Sequence, residues 1–231
     1  MNNKRLNPTT QFVLMLLVAT GASLVLLAAD SLHNHSFYFS YLIWNLFLAW
    51  LPLLFAWWLL AVLKRKLWSS WEAIGVSVLW LAFLPNSFYM VSDFIHLREV
   101  SYRNLLYDAV MLTSFISVAV VLGVCSLYLV HREVIRRFTN RTSGIWLFAV
   151  ILVCSFAIYL GRDLRWNSWD ILTNPGGLLF DVSDRLMHPA AYPEMMLTTA
   201  IFFILMCMFY GIAWFTVHMI HGWPDQIQHS K

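Results

Sequence analysis

Six stretches of this chain run for about twenty residues or more without a charged side chain: residues 11–29, 37–63, 73–92, 109–130, 142–161 and 195–217. A helix needs roughly 20 such residues to cross the hydrocarbon core of a bilayer. Lipid offers no partner to a backbone N–H or C=O, so a spanning segment closes its own hydrogen bonds as a helix. The expected fold is therefore all-α: a polytopic transmembrane bundle of about six spanning helices, forming one integral membrane domain over residues 1–231. Composition agrees, with 60% hydrophobic and 12% charged residues, about half the charged fraction of a soluble domain. Basic residues form no stripe outside short loops, which excludes a nucleic-acid interface. Membrane lipids are the first partners to expect, with a protein partner in the membrane as a further one.

Lys4 and Arg5 precede the first window, as in a secretory leader. The window is long for such a leader, and no small-x-small cleavage site precedes Asp30, so it reads as a retained span. Cys125, Cys154 and Cys207 all fall inside apolar windows and form no C-x-x-C pair. They read as small buried hydrophobes.

Lys and Arg counts set the direction of insertion. With the N-terminus inside, the inner segments hold ten Lys and Arg residues and the outer ones five: Arg98, Arg103, Arg162, Arg165 and Arg185. Nine of the twelve acids then lie outside. This predicts a multi-pass protein of the bacterial cytoplasmic (inner) membrane with both termini cytoplasmic. Trp68, Trp71, Trp146 and Trp223 fall near the inner helix ends, and Trp44, Trp166 and Trp169 near the outer ones, as interfacial belts do.

Two polar, aromatic-rich segments, residues 84–97 and 161–170, interrupt or close apolar windows, and the topology puts both on the outer face. Ionisable groups beside lipid are costly and mark pairs or function. Pro85 removes a backbone donor and is expected to kink or break the third helix. Asn86, Tyr89, Asp93, His96 and Asp108 make up an outer polar cluster. Asp93 and His96 are three apart and share a helix face. They are the candidates for proton transfer. With Asp108 they are also the candidates for a metal site, to which Asp170, His33 and His35 are further possible contributors. The plainer alternative is a hydrogen bond from His96 to Asp93, or pairing of Asp93 with an arginine.

Arg162 and Arg165 have the same spacing, with Trp166, Asn167 and Asp170 beside them. Two guanidinium forks grip a phosphate or carboxylate, so Arg162, Arg165, Trp166, Asn167 and Asp170 are the candidates for binding an anion or lipid headgroup. The alternative is that the two arginines neutralise Asp93, Asp108 or Asp170. Asn167 and Ser168 have the character of turn-forming groups. Ser168 lies in no nucleophile elbow.

Residues 171–193 join the last two spans. Leu178, Leu179, Phe180, Val182, Leu186 and Met187 alternate there with Asp181, Asp184 and Arg185, the pattern of a short amphipathic helix on the interface or of a lid over the polar cluster. Asp184 and His188 stand four apart.

The strings Leu84-Pro85-Asn86-x-x-Tyr89, Asp93-x-x-His96-Leu97, Tyr107-Asp108 and Gly161-Arg162-x-Leu164-Arg165-Trp166-Asn167-Ser168-Trp169-Asp170 resemble the bacterial membrane family described as domain of unknown function 1361. The resemblance runs from about the second helix to the last. It implies a polytopic bacterial membrane protein and brings no activity, substrate, cofactor or catalytic residue with it. The residues themselves support two main readings. One is a structural or binding protein whose outer Arg/Asp/His cluster fixes the bundle and seats an anion, a lipid headgroup or a partner. The other is an outer-face hydrolase or transferase, metal-dependent or not, acting on a lipid-linked or envelope substrate. Transport is a third, disfavoured by mid-helix positions that are mostly Leu, Val, Phe and Ala.

Overall fold

The computed structural model describes residues 7–35, 37–99, 105–166 and 169–228, and among them there is no strand. The chain forms helices α1 (Pro8–Asn34), α2 (Tyr41–Leu63), α3 (Trp71–Tyr89), α4 (Leu105–Ile135), α5 (Asn140–Asp163), α6 (Asp170–Thr173), α7 (Pro175–Met187) and α8 (Pro193–Gln228). Short 3₁₀ segments at Tyr38–Ser40, Met90–Glu99 and Pro189–Ala191 join them. Six helical stretches are long and apolar enough to cross a membrane: Pro8–Asn34, Tyr38–Leu63, Trp71–Leu97, Leu105–Ile135, Asn140–Asp163 and Pro193–Met219. Most extend past the apolar windows, because a helix can continue into the headgroup region where charged residues are solvated.

Helix starts follow local chemistry. The side chains of Asn7, Ser70, Thr139 and Asn174 accept from the backbone N–H of Thr9, Ala73, Thr142 and Gly177, satisfying donors that the first turn leaves orphaned. Pro8 and Pro175 occupy the first helical position, where a missing N–H costs nothing.

The core lies among α2, α3 and α4, with α5 and α8 packed together at its side. Apolar association is weak in lipid, so close approach and interhelix hydrogen bonds hold such helices together. Both are present. A Cβ on Gly123 would lie 2.7 Å from Ser87 Cβ and 2.8 Å from the Phe88 ring, so α3 and α4 meet where only glycine fits. The Ser87 hydroxyl donates to the Ala49 carbonyl at 3.1 Å, fastening α3 to α2. Trp80 Nε1 donates to Ser126 Oγ at 2.8 Å. Buried His131 of α4 bridges Ser143 Oγ at 2.9 Å and Tyr210 Oη at 2.5 Å, tying α5 and α8 to the core. Helices α1 and α8 are the peripheral spans, with only 17% of each apolar window buried.

Of the kink or break expected at Pro85, the break does not occur. α3 continues through it to Tyr89 and then tightens into the 3₁₀ segment. Pro85 still costs the Leu81 carbonyl its donor. The ring is buried, and the Asn86 side-chain amide donates to the Phe83 carbonyl at 3.1 Å, a local bond that leaves the Leu81 carbonyl as it was.

Candidate functional site

The 3₁₀ segment Met90–Glu99 is ten residues long, well beyond the usual three or four, and such stretches often mark functional positions. Its i, i+3 side chains eclipse, so Asp93 and His96 still share a face, as their spacing predicts. They face a cavity of about 530 Å³ enclosed by α2, α3 and α5, within the size range of small-molecule sites.

The cavity is polar at one end and apolar at the other. Asp93, His96, Tyr89, Asn86, Tyr41 and Asn45 line the polar end. Val78, Leu81 and Ala82 of α3 and Val153, Ala157 and Ile158 of α5 line the rest. From Val78 to Tyr89 the axis of α3 rises about 16 Å, roughly half the thickness of the hydrocarbon core. Val78 and Val153 are 56% and 51% exposed, so the apolar end opens sideways onto the outer surface of the bundle.

Asp93 is 4% exposed. Its carboxylate accepts from Asn45 Nδ2 at 3.2 Å. The expected bond from His96 is absent; His96 Nδ1 lies 3.3 Å from the Tyr38 hydroxyl, and its ring packs 5.2 Å from that of Tyr41. A 3₁₀ turn places two side chains on one face without making them touch.

Asp108 stands apart. It is 2% exposed on α4 and lies within electrostatic reach of Asp30 of α1, which is 5% exposed and accepts from Asn34 Nδ2 at 2.6 Å. Among the described residues no arginine forms an ion pair with Asp93 or Asp108. Among the described residues no three His, Cys, Asp or Glu side chains gather closely enough to hold a metal ion. Asp93, His96 and Asp108 do not converge.

The second polar segment meets the first at this cavity. Trp166 and Gly161 line it alongside Tyr89. α5 ends because Arg165 adopts a left-handed φ of 61°, which turns the chain so that Trp166 N–H returns to the Leu160 carbonyl at 3.1 Å. Arg162 and Arg165 are exposed at that helix end and do not line the cavity, though both act electrostatically on Tyr89. Asn167 and Ser168 lie outside the described residues. Asp170 begins α6, where Thr173 Oγ1 donates to it at 3.1 Å.

The α7 expectation matches an observed helix, Pro175–Met187. Leu178 lines the cavity, while Leu179, Phe180, Leu186 and Met187 are exposed. A polar relay holds α7 down. Trp166 Nε1 donates to Asp181 at 2.8 Å; Asp181 pairs with Arg185 at 3.1 Å; Arg185, 9% exposed, donates to the Tyr159 hydroxyl at 3.3 Å. Sequence reasoning missed this relay. The four-residue spacing of Asp181 and Arg185 was a visible signal for one link, but Trp166 and Tyr159 come from elsewhere in the chain. It also missed Tyr41 and Trp44 as cavity residues. Their signal, aromatic residues at the entry to a span, is shared with every interfacial belt.

A family model described as protein of unknown function, DUF1361, matches residues 44–209. The chain belongs to this family. The matched region contains Asn45, Tyr89, Asp93, His96, Arg162 and Trp166, so most of the cavity lies within it. Neither a curated protein nor a solved structure matches the chain.

Proposed function

We propose that this protein binds a single amphiphile, with its polar head at Asp93, Asn45 and His96 and its tail lying between α3 and α5. The cavity carries the reading: it is graded from polar to apolar along the helix axis and opens sideways where a lipid tail can enter. A cluster serving only to hold helices together has no use for a space of this size, since interiors pack densely. The Lys and Arg distribution supports a bacterial cytoplasmic membrane with both termini inside, which puts the polar end on the outer face. A C-terminal reporter active only in the cytoplasm tests that orientation.

The binding reading is tested by filling the apolar end. Ala157→Phe places a ring where the tail lies. Native mass spectrometry of wild type from mild detergent is expected to show a lipid-sized adduct that Ala157→Phe lacks, at matched melting temperature. Equal adducts in both proteins, or none in either, would sink the proposal. A second reading, an enzyme using Asp93 and His96 for proton transfer on the same head, is supported by their shared cavity face. It requires turnover of the bound species, lost in His96→Gln to a far greater degree than binding is.

A further inference from the structure

Taking the amphiphile reading as its basis, the chemistry of the polar end narrows the head group. The cavity is lined by no Lys or Arg among the described residues. Its formal charge comes from Asp93, which is nearly sealed from solvent. Asn45 uses an N–H on Asp93, leaving its carbonyl oxygen as an acceptor. Tyr41, Trp44, Tyr89 and Trp166 add aromatic rings, whose negative faces attract a cation. A carboxylate, an amide oxygen and ring faces recognise a donor of positive charge and repel an anion.

Cationic groups lie just beyond. Tyr89 is within electrostatic reach of Asp93 and also of Arg162 and Arg165. Arg162 is exposed, and among the described residues no carboxylate lies within ion-pair distance of it. One polar end thus presents a buried negative group and an exposed positive one, with a tyrosine near both.

We propose that the head is zwitterionic: an ammonium seated against Asp93 and Asn45, with its phosphate toward Arg162 at the rim. A phospholipid with a primary amine on its head has this chemistry, and the apolar lower cavity favours the lipid over a free phosphoamine. The two-arginine motif then serves one part of the ligand and the Asp93 segment the other.

The test uses the full chain in mild detergent, offered equal amounts of phosphatidylethanolamine and phosphatidylglycerol with matched acyl chains. Native mass spectrometry reads the ratio retained. Wild type is expected to favour the amine lipid on the order of tenfold, the effect of one charge-assisted hydrogen bond. Asp93→Asn preserves shape and an acceptor for Asn45; it should bring the ratio close to one by lowering retention of the amine lipid while phosphatidylglycerol is held as before. Arg162→Ala should lower retention of both phospholipids and leave the ratio unchanged. A wild-type ratio near one, or a ratio unmoved by Asp93→Asn, overturns the ammonium assignment. Full retention in Arg162→Ala overturns the phosphate assignment. If wild type holds neither lipid better than Ala157→Phe does, the amphiphile reading itself has failed, and this assignment falls with it. Phosphoethanolamine without a tail should not compete; if it displaces the lipid at equal concentration, the ligand is the soluble head and the lipid assignment is overturned.

Discussion

Arg165 is one of two non-glycine residues with positive φ among those described. A left-handed conformation costs an L-residue about 1–2 kcal/mol, and here it swings Trp166 back over the end of α5. Arg165→Gly should melt at or above wild type in detergent, because glycine adopts this φ without penalty. Arg165→Val should lose about 1–2 kcal/mol, since a β-branched residue fits that region worst. The same melting point in both variants would show that the turn is not strained. At this scale the motifs were readable and their partners were not. Asp93 and His96 advertise themselves by type and spacing, but the group that binds Asp93 is Asn45, 48 residues earlier, and only the packing of α2 on α3 and α4, against which the 3₁₀ segment also lies, brings it there.

Packing of whole elements turns on small residues and on α7. Gly123→Ala should push α3 and α4 apart, costing about 1–3 kcal/mol as overpacking does; a melting temperature equal to wild type would mean that the helices are not in close contact. The C-terminal end of α7 should be pH-sensitive. The Tyr192 hydroxyl donates to Asp184 and, with His188, holds that carboxyl below its usual range. A folded pKa below the unfolded value of about 3.9 contributes stability that is present above that pH and lost as pH falls through the folded value. The hydrogen-exchange protection of residues 184–192, relative to the intrinsic rate at each pH, should therefore fall below about pH 4, and Tyr192→Phe should weaken that dependence. A protection factor that does not change with pH would remove the carboxyl from the account. The alternation in residues 178–187 foretold an amphipathic helix, because its period is local. The relay that fastens it joins Trp166, Asp181, Arg185 and Tyr159 from three elements, which no local pattern encodes.

For the molecule as a whole, exposure means lipid. Ile204 is 67% exposed in the middle of α8. On a soluble surface a substitution there would be nearly silent. In a bilayer, Ile204→Lys should cost about 2.5–3.5 kcal/mol on insertion scales, seen as a smaller membrane-integrated fraction in a translocation assay. Wild-type integration would place α8 outside the hydrocarbon.

The sequence alone determined that this is an all-helical bundle with six spans, roughly where each begins and ends, and which family it belongs to. It could do so because lipid imposes one requirement on every spanning residue, and long apolar runs meet it one helix at a time. Only the tertiary structure decided that Asp93 and His96 share a cavity with Gly161 and Trp166, that Asp108 stands apart near Asp30, that Arg162 and Arg165 are exposed and do not line that cavity, and that the third helix continues through Pro85. Those outcomes depend on which helices pack together and on side chains dozens of residues apart, where hydrophobic pattern carries no information about register.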